Sequence, residues 1–419
     1  MHIQAPWRVL RRIGHGGGRG LRALLYGALL AGVSTGCATR PAPVASQPTP
    51  APAVVARPAP PQPAPVEITP LPQEPVAEAP ASHDAYIAVL LPAATSSKAL
   101  KPAVDQIMDG VIKGARVFGH GNEPPLRVFE TTDQDDDVLA QYNKAIDGGA
   151  AAVIGPLTRS AVNYLADNGR FPVPVIALNS FDGRTLRRPN LYSFSLSVEQ
   201  EASEVARLMN ENGVRNPLIL IAANPLSQRM SQGFAAAWQA LGNPAPQVVD
   251  AGNATQGLAG LRAQINAKGA DAVFLATGFK LGRKVRPFIG NDLPVYATSQ
   301  INPGPLPATA IADLNGVRFL DMPWLVNADD PYYALFARAR SNSNDYERMF
   351  ALGVDAWRIA ATLIHAPGQP VSFDGITGRL KQRTDGVIER RLLPERFGEG
   401  DAVPSASEGT TPDDGAPIL

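Results

Sequence analysis

The chain has 419 residues, 38 basic and 38 acidic side chains, one cysteine and five histidines. Zero net charge excludes a nucleic-acid binder held by bulk electrostatics. One cysteine excludes a disulfide framework, a CxxC redox pair and a cysteine-rich zinc site, and the histidines form no HExxH or HxxxH pair, so no metal or cofactor is expected.

Residues 1–37 carry five Arg and no acid, so the remainder has a net charge of −5. The apolar run Ala23 to Val33 is too short to span a hydrocarbon core of roughly 30 Å, and it suits a signal-peptide h-region. It ends in Ser34-Thr35-Gly36-Cys37, which resembles a bacterial lipobox, with Ser34 where an aliphatic residue is usual. That resemblance implies a signal peptide over 1–37, a lipidated Cys37 and a membrane anchor. Ala38, not Asp, follows the cysteine. By resemblance the destination is the periplasmic face of the outer membrane.

Residues 38–83 alternate Pro with Ala and Val, and 14 of the 40 Pro fall between Ala38 and Ser82. With no aromatic residue, this stretch cannot bury enough apolar surface to offset its ordering entropy, and it reads as a disordered tether. As polyproline II its 45 residues would reach about 140 Å, and as a flexible coil about 37 Å.

From residue 84 to 399 short apolar runs alternate with amphipathic stretches. Tyr86 to Leu91 is a continuous apolar run of buried-strand length. Pro102 to Phe118 places Val104, Ile107, Met108, Val111, Ala115 and Phe118 on one helical face, and Gly110 and Gly114 predict close approach to a sheet. Strands are expected at Leu126 to Thr131, Ala152 to Ile154 and Val173 to Leu178, with a helix over Asp137 to Asp147. Ser197-Val198-Glu199-Gln200 has the form of a capping box and opens a helix to about Asn212. Strands follow at Leu218 to Ala223, Val248-Val249, Asp271 to Ala276, Val295 to Ala297 and Gly316 to Asp321. Helices follow at Ser227 to Leu241, Gly257 to Lys268, Lys280 to Ile289 and Asp345 to Ile364. This alternation predicts an α/β fold with parallel sheets between helices. Ten or so strands predict two lobes: lobe 1 about 84–195 plus a later segment, and lobe 2 about 198–300 plus a C-terminal part. Residues 400–419 are polar and aperiodic and read as a disordered tail.

The runs Ile87 to Pro92, Val153 to Leu157 and Val175 to Asn179 resemble a type I periplasmic-binding-protein fold. More narrowly, Leu191 to Ser197, Ala297 to Gln300, Leu314 to Trp324 and Met349 to Trp357 resemble the C-terminal domain of the LppC/LpoA lipoproteins, activators of class A penicillin-binding proteins. The resemblance implies a two-lobe α/β head that binds such a peptidoglycan synthase, with peptidoglycan as a second candidate contact and no nucleic acid. Longer members place a helical-repeat domain first. Here the Pro-rich stretch takes that place, and the function of the repeat domain is expected to be missing.

Enzymatic signatures fail one by one. Asp133, Asp135, Asp136 and Asp137 do not make an EF-hand, because Val138 and Lys144 stand where Gly and Glu belong; they fit a helix N-terminus instead. The glycine-rich Gly14 to Gly20 follows no strand. Thr95 stands three before Lys98, where an S-x-x-K motif needs Ser, and no nucleophile elbow occurs. No catalytic residue is expected.

Open parallel sheets bind ligands beyond their carboxyl ends. The loops expected there carry Thr95, Ser96, Ser97, Thr158, Arg159, Asn179, Ser180, Asn224, Ser227, Arg229, Thr277, Thr298, Ser299 and Gln300. They form a candidate interlobe cleft for a small anionic or zwitterionic ligand, the alternative being helix capping. The alternative function is accordingly a periplasmic solute-binding receptor for an amino acid or similar small ligand. Trp238, Trp357, Met349 and Phe350 are expected in the core. Trp324 is expected in a crossover loop, where it could face a partner, and Gly282 to Arg286 on a solvated basic helix face.

Overall fold

Fourteen strands and ten helices were found among the residues that a computed structural model describes, 85–398 other than 96, 99, 182–187 and 252–257. Cys37, the tether over 38–83, the tail and Ser96 lie outside the described residues.

The first half of the described chain runs β1 (Tyr86–Leu91), α1 (Leu100–Phe118), β2 (Leu126–Glu130), α2 (Asp135–Asp147), β3 (Ala150–Ile154), α3 (Arg159–Asn168), β4 (Val175–Ala177) and β5 (Leu191–Ser193). These strands form a parallel sheet in the order β2-β1-β3-β4-β5, with Ile87 opposite Leu126 on one side and Ala152 on the other. Every residue of β1 is buried because helices cover both faces. Its side chains alternate accordingly. Ile87, Val89 and Leu91 pack with Ile107 and Val111, while Tyr86, Ala88 and Leu90 pack with Val138, Tyr142 and Leu165.

The pattern then repeats with α4 (Val198–Glu211), β6 (Pro217–Ile221), α5 (Pro225–Ala240), β7 (Gln247–Asp250), α6 (Leu261–Ala267), β8 (Ala272–Ala276), α7 (Phe279–Ile289), β9 (Val295–Ala297), α8 (Ala308–Asp313) and β10 (Val317–Asp321). Its parallel strands are ordered β7-β6-β8-β9-β10, the same 2-1-3-4-5 winding as the first sheet. Ile219 and Phe274 face Phe234 and Trp238 of α5, while Leu218, Leu220 and Val273 face Leu261, Val285 and Ile289.

The chain crosses between the lobes three times. Phe194 to Ser197 leads from β5 into α4. After α9 (Pro323–Val326) and a 3-10 segment, Pro331–Phe336, it returns in α10 (Asn344–His365), which packs along α1 and over β3 and β4. A small antiparallel sheet of β11 (Ser372–Gly375), β12 (Gly378–Gln382) and β13 (Ile388–Arg391) follows. Then β14 (Leu393–Arg396) goes back to pair antiparallel with β10, Phe319 opposite Glu395.

The two glycines of α1 contact a helix, and the expected approach to a sheet is corrected. A Cβ on Gly110 would overlap the carbonyl oxygen of Phe350, one on Gly114 would lie 2.9 Å from the oxygen of Val354, and one on Gly353 would overlap the oxygen of Ile107. Three missing side chains thus let α1 and α10 pack backbone to backbone, while the aliphatic residues of α1 turn to the sheet. The sequence reading also passed over α3, β5, α8 and β11 to β14. Replacing Gly110 by Ala overpacks this contact and is expected to cost about 1–3 kcal/mol. The midpoint of urea unfolding measures the loss.

Candidate functional site

Side chains at the carboxyl ends of the parallel strands divide by partner. Six of the fourteen candidate cleft residues bond to backbone groups. Thr158 caps α3, accepting from the Ala161 N–H at 3.3 Å, and Asn224 caps α5, accepting from the Ser227 N–H at 2.9 Å. Ser97 accepts from the Leu100 N–H at 3.3 Å, and Thr95 from the Ser97 N–H at 3.1 Å. Asn179 holds the neighbouring loop by donating to the Leu157 carbonyl at 2.9 Å. Ser227 is buried, accepting from the Ala222 N–H at 2.7 Å and donating to the Ala276 carbonyl. Thr277 and Thr298 are also buried; Thr298 donates to the Met230 sulfur at 3.3 Å, whereas the Thr277 hydroxyl makes no hydrogen bond among the described residues. Gln300 is half-buried in the 3-10 turn Ser299–Ile301.

Arg159, Ser180 and Arg229 do come together, around the carboxylate of Glu199, which was not among the candidate cleft residues. Glu199, in the first turn of α4, accepts from Arg229 Nε at 2.5 Å and Nη2 at 2.9 Å. Arg159 Nη2 approaches the same carboxylate to 3.7 Å and donates to Ser180 Oγ at 2.8 Å. Arg159 belongs to lobe 1 and Arg229 to lobe 2, so Glu199 links one lobe to the other. Ser197 adds a hydroxyl bond to Glu199 at 2.7 Å while accepting from the Gln200 N–H at 3.3 Å. The capping box is half made, because Gln200 Oε1 is buried without a partner among the described residues. Burial opposes ionisation of Glu199, but the bonds from Arg229 and Ser197 outweigh it and hold the carboxyl below the ordinary range.

A second, deeper group lies where the crossovers converge. Arg348 of α10 donates Nη2 to Asp321 Oδ2 at 2.6 Å, Nε to Asp321 Oδ1 at 3.1 Å, and Nη2 to the carbonyls of Ser299 and Asn302 at 3.1 and 2.9 Å. Ser299 donates its hydroxyl to Glu201 Oε2 at 2.6 Å. Glu201 Oε1 lies 3.5 Å from Arg390 Nη2, and Arg390 Nε donates to the Ser195 carbonyl at 3.1 Å. The side chains of Glu201, Asp321, Arg348 and Arg390 are all at least nine-tenths buried. One connected network therefore ties the β5–α4 crossover, the ends of β9 and β10, the start of α10 and β13. Of its members only Ser299 was expected as a candidate cleft residue. The available signal was charge inside buried helix faces, as at Glu201 and Arg348.

Trp324 corrects another expectation. It is 2% exposed, it sits on α9, and its indole N–H donates to Glu347 Oε2 at 2.7 Å. Glu347, the Arg340 guanidinium 4.0 Å over its ring and the tilted Phe350 ring at 5.2 Å hold it inward, so it faces no partner. The basic stretch Gly282 to Arg286 is likewise only partly a solvated face: Arg283 pairs with Asp313 at 2.5 Å, and Arg286 is buried against the carbonyls of Gly290 and Asn315. Among the described residues no three His, Cys, Asp or Glu side chains are placed to hold a metal, and no helix is long and apolar enough to cross a membrane.

The two carboxylates differ in what they predict. Glu199→Gln is expected to cost about 1 kcal/mol at neutral pH, as for a partly exposed charge cluster. Because the folded carboxyl is held low, its stabilisation is present above the ordinary carboxylate range and is lost as pH falls through the folded value. The variant and the parent should therefore converge in urea midpoint under acid. Glu201→Ala leaves Arg390 buried and unpaired and should cost about 3–5 kcal/mol. Burial pushes Glu201 towards its neutral form despite Arg390 and Ser299, so Glu201→Gln should cost less than the alanine change.

The comparisons with known proteins agree with this architecture. Residues 61–400 match the family described as "LppC putative lipoprotein". The penicillin-binding protein activator LpoA of Haemophilus influenzae is 29% identical over 318 residues, 72% of this chain and 53% of that protein. The chain spans about half the length of the curated relatives it matches. The LpoA C-domain from Haemophilus influenzae, a regulator of PBP1A, superposes with a TM-score of 0.64 at 25% identity, covering 77% of this chain and all of that one. A "putative branched-chain amino acid ABC transporter" from Chromobacterium violaceum superposes with a TM-score of 0.63 at 34% identity, covering 74% and 99% of the two chains. The repeated 2-1-3-4-5 lobes are thus a type I periplasmic-binding-protein-like fold, and the chain belongs to the LppC lipoprotein family.

Proposed function

We propose that this chain is a non-catalytic activator of a class A penicillin-binding protein, acting by protein–protein contact. The observation that carries the reading is the family match over residues 61–400 together with the full-length correspondence to the LpoA C-domain, a regulator of PBP1A. The fold adds a physical reason. Glu199 already supplies a carboxylate to Arg159 and Arg229 in the cleft, which leaves the outer surface as the working part. Lipidation of Cys37 would anchor the chain at the periplasmic face of the outer membrane, and residues 38–83 would form the spacer. Tethering raises the effective concentration of the head near its target. Activation requires only that the head bind the active conformation of the synthase better than the inactive one, because a partner shifts an equilibrium by its differential affinity alone.

A second reading, a receptor for an amino acid, has the likeness to the Chromobacterium violaceum protein in its favour. The two readings separate cleanly. In the first, the purified chain is retained by a class A penicillin-binding protein and raises its rate of glycan polymerisation, palmitate labels the native chain, and Cys37→Ser abolishes the label. No retention and no rate change would reject it. In the second, an amino acid at 100 times its Kd stabilises the chain by about 2.7 kcal/mol in a thermal melt.

A further inference from the structure

We infer that a hollow between the 3-10 segment Pro331–Phe336 and the β11–β13 sheet is the docking surface for an acidic segment of a partner protein, one that also carries an apolar side chain. The inference rests on the activator reading, under which that partner is the penicillin-binding protein.

Both elements are additions to the doubly wound lobes. The first is inserted between β10 and α10, the second between α10 and β14. Each keeps one side in the core through Phe336, Ile376, Leu380 and Ile388, all 2% exposed or less. Their other sides enclose a hollow of about 530 Å³ lined by Tyr332 and Tyr333 from one element and Asp374, Arg379 and Arg391 from the other. A cavity of this size accepts a large side chain rather than a whole domain, and it lies apart from the Glu199 clasp.

The rim has the composition that concentrates binding energy, aromatic rings and guanidinium groups. Tyr332 of the lining is 40% exposed, and Leu335, on the same short segment but outside the lining, is 59% exposed and extends the apolar surface. Tyr332 is fixed in place by ring contacts with Tyr333 at 5.8 Å and Phe118 at 6.3 Å, so little side-chain freedom remains to be lost on binding.

Charge decides the partner's chemistry. Arg379 meets Asp374 at 2.8 Å, but both are about three-quarters exposed, so that pair is weak and readily exchanged. Arg391 lies 3.9 and 4.0 Å from Glu204 and Glu211, carboxylates that Arg207 already holds at 2.5 and 2.6 Å. Two guanidinium forks thus flank the hollow with loosely held counter-charges, and such forks are matched bidentately by carboxylates.

The test uses the full chain and the immobilised periplasmic portion of a class A penicillin-binding protein. Surface plasmon resonance would compare the parent with Arg379→Glu/Arg391→Glu, with Leu335→Asp, and with Val248→Asp on the distant edge strand β7. Circular dichroism and melting temperature establish that each variant is folded. We expect the double charge reversal and Leu335→Asp each to weaken binding at least tenfold, Val248→Asp to change it less than twofold, and parental affinity to fall with added salt. Parental binding with all variants within twofold would overturn this surface and leave the activator reading intact. No parental binding would overturn both. A parental dimer that sedimentation shows to dissociate in the same variants would assign the face to a second copy and overturn the inference.

Discussion

Arg348 and Asp321 meet in a place that water does not reach, and the arrangement of the lobes depends on their doing so. Each lobe has its own sheet, and one apolar cluster runs from Phe234 and Leu320 of lobe 2 to Phe350, Ala351 and Val354 of α10, so apolar burial holds the lobes together while directional charged contacts select how one stands against the other. The β5–α4 crossover brings the Ser195 carbonyl, and the turn after β9 those of Ser299 and Asn302, up to the side chains of β13 and α10. Those carbonyls need donors, and Arg348 and Arg390 supply them; the arginines in turn need Asp321 and Glu201. Buried ion pairs contribute little net stability against an apolar replacement, but breaking one is costly, which makes such a network a device for selecting one geometry. Glu199 repeats the device at the surface with half-exposed partners.

The consequence for function follows from the topology. Two 2-1-3-4-5 lobes joined by several crossovers make a frame that can hinge around a ligand. Here the crossover segments are pinned by charges, α1 and α10 pack closely at Gly110, Gly114 and Gly353, and Arg159 and Arg229 both meet Glu199 of the same chain. A head of this kind presents a fixed shape. The features with exposed rings and loosely held charge are on the added segments around Tyr332 and Arg379, away from the cleft. Contact with a partner, rather than closure on a solute, is the activity that such a distribution supports.

Much of the fold was legible. β1, β3, β6 and β8 are apolar runs because both faces of a parallel sheet are covered, and α10 is long enough for its period to stand out. The missed elements lacked those signals. β5 has three residues, α3 is polar over most of its ten, and β11 to β13 bury only a few apolar side chains such as Leu380 and Ile388 between charged ones. The site was legible by residue type but not by role. Ser, Thr and Asn at strand ends were expected either to bind or to cap, and Thr158 and Asn224 cap. The pairing within the network could not be read, since Glu201, Ser299, Arg348 and Arg390 are far apart along the chain and only folding makes them neighbours, although charge on the buried faces at Glu201 and Arg348 was a signal.

The central claim is that the head holds one interlobe arrangement. Cys37 is the only cysteine in the chain, so a Cys37→Ser background leaves introduced thiols as the sole labelling sites. Spin labels at Asp167→Cys in α3 and Gln239→Cys in α5, both exposed positions, would report the distance between lobes by electron–electron double resonance. A single distance unchanged by a mixture of amino acids is the predicted result. Two populations, or a shift to a shorter distance when an amino acid is added, would contradict the account.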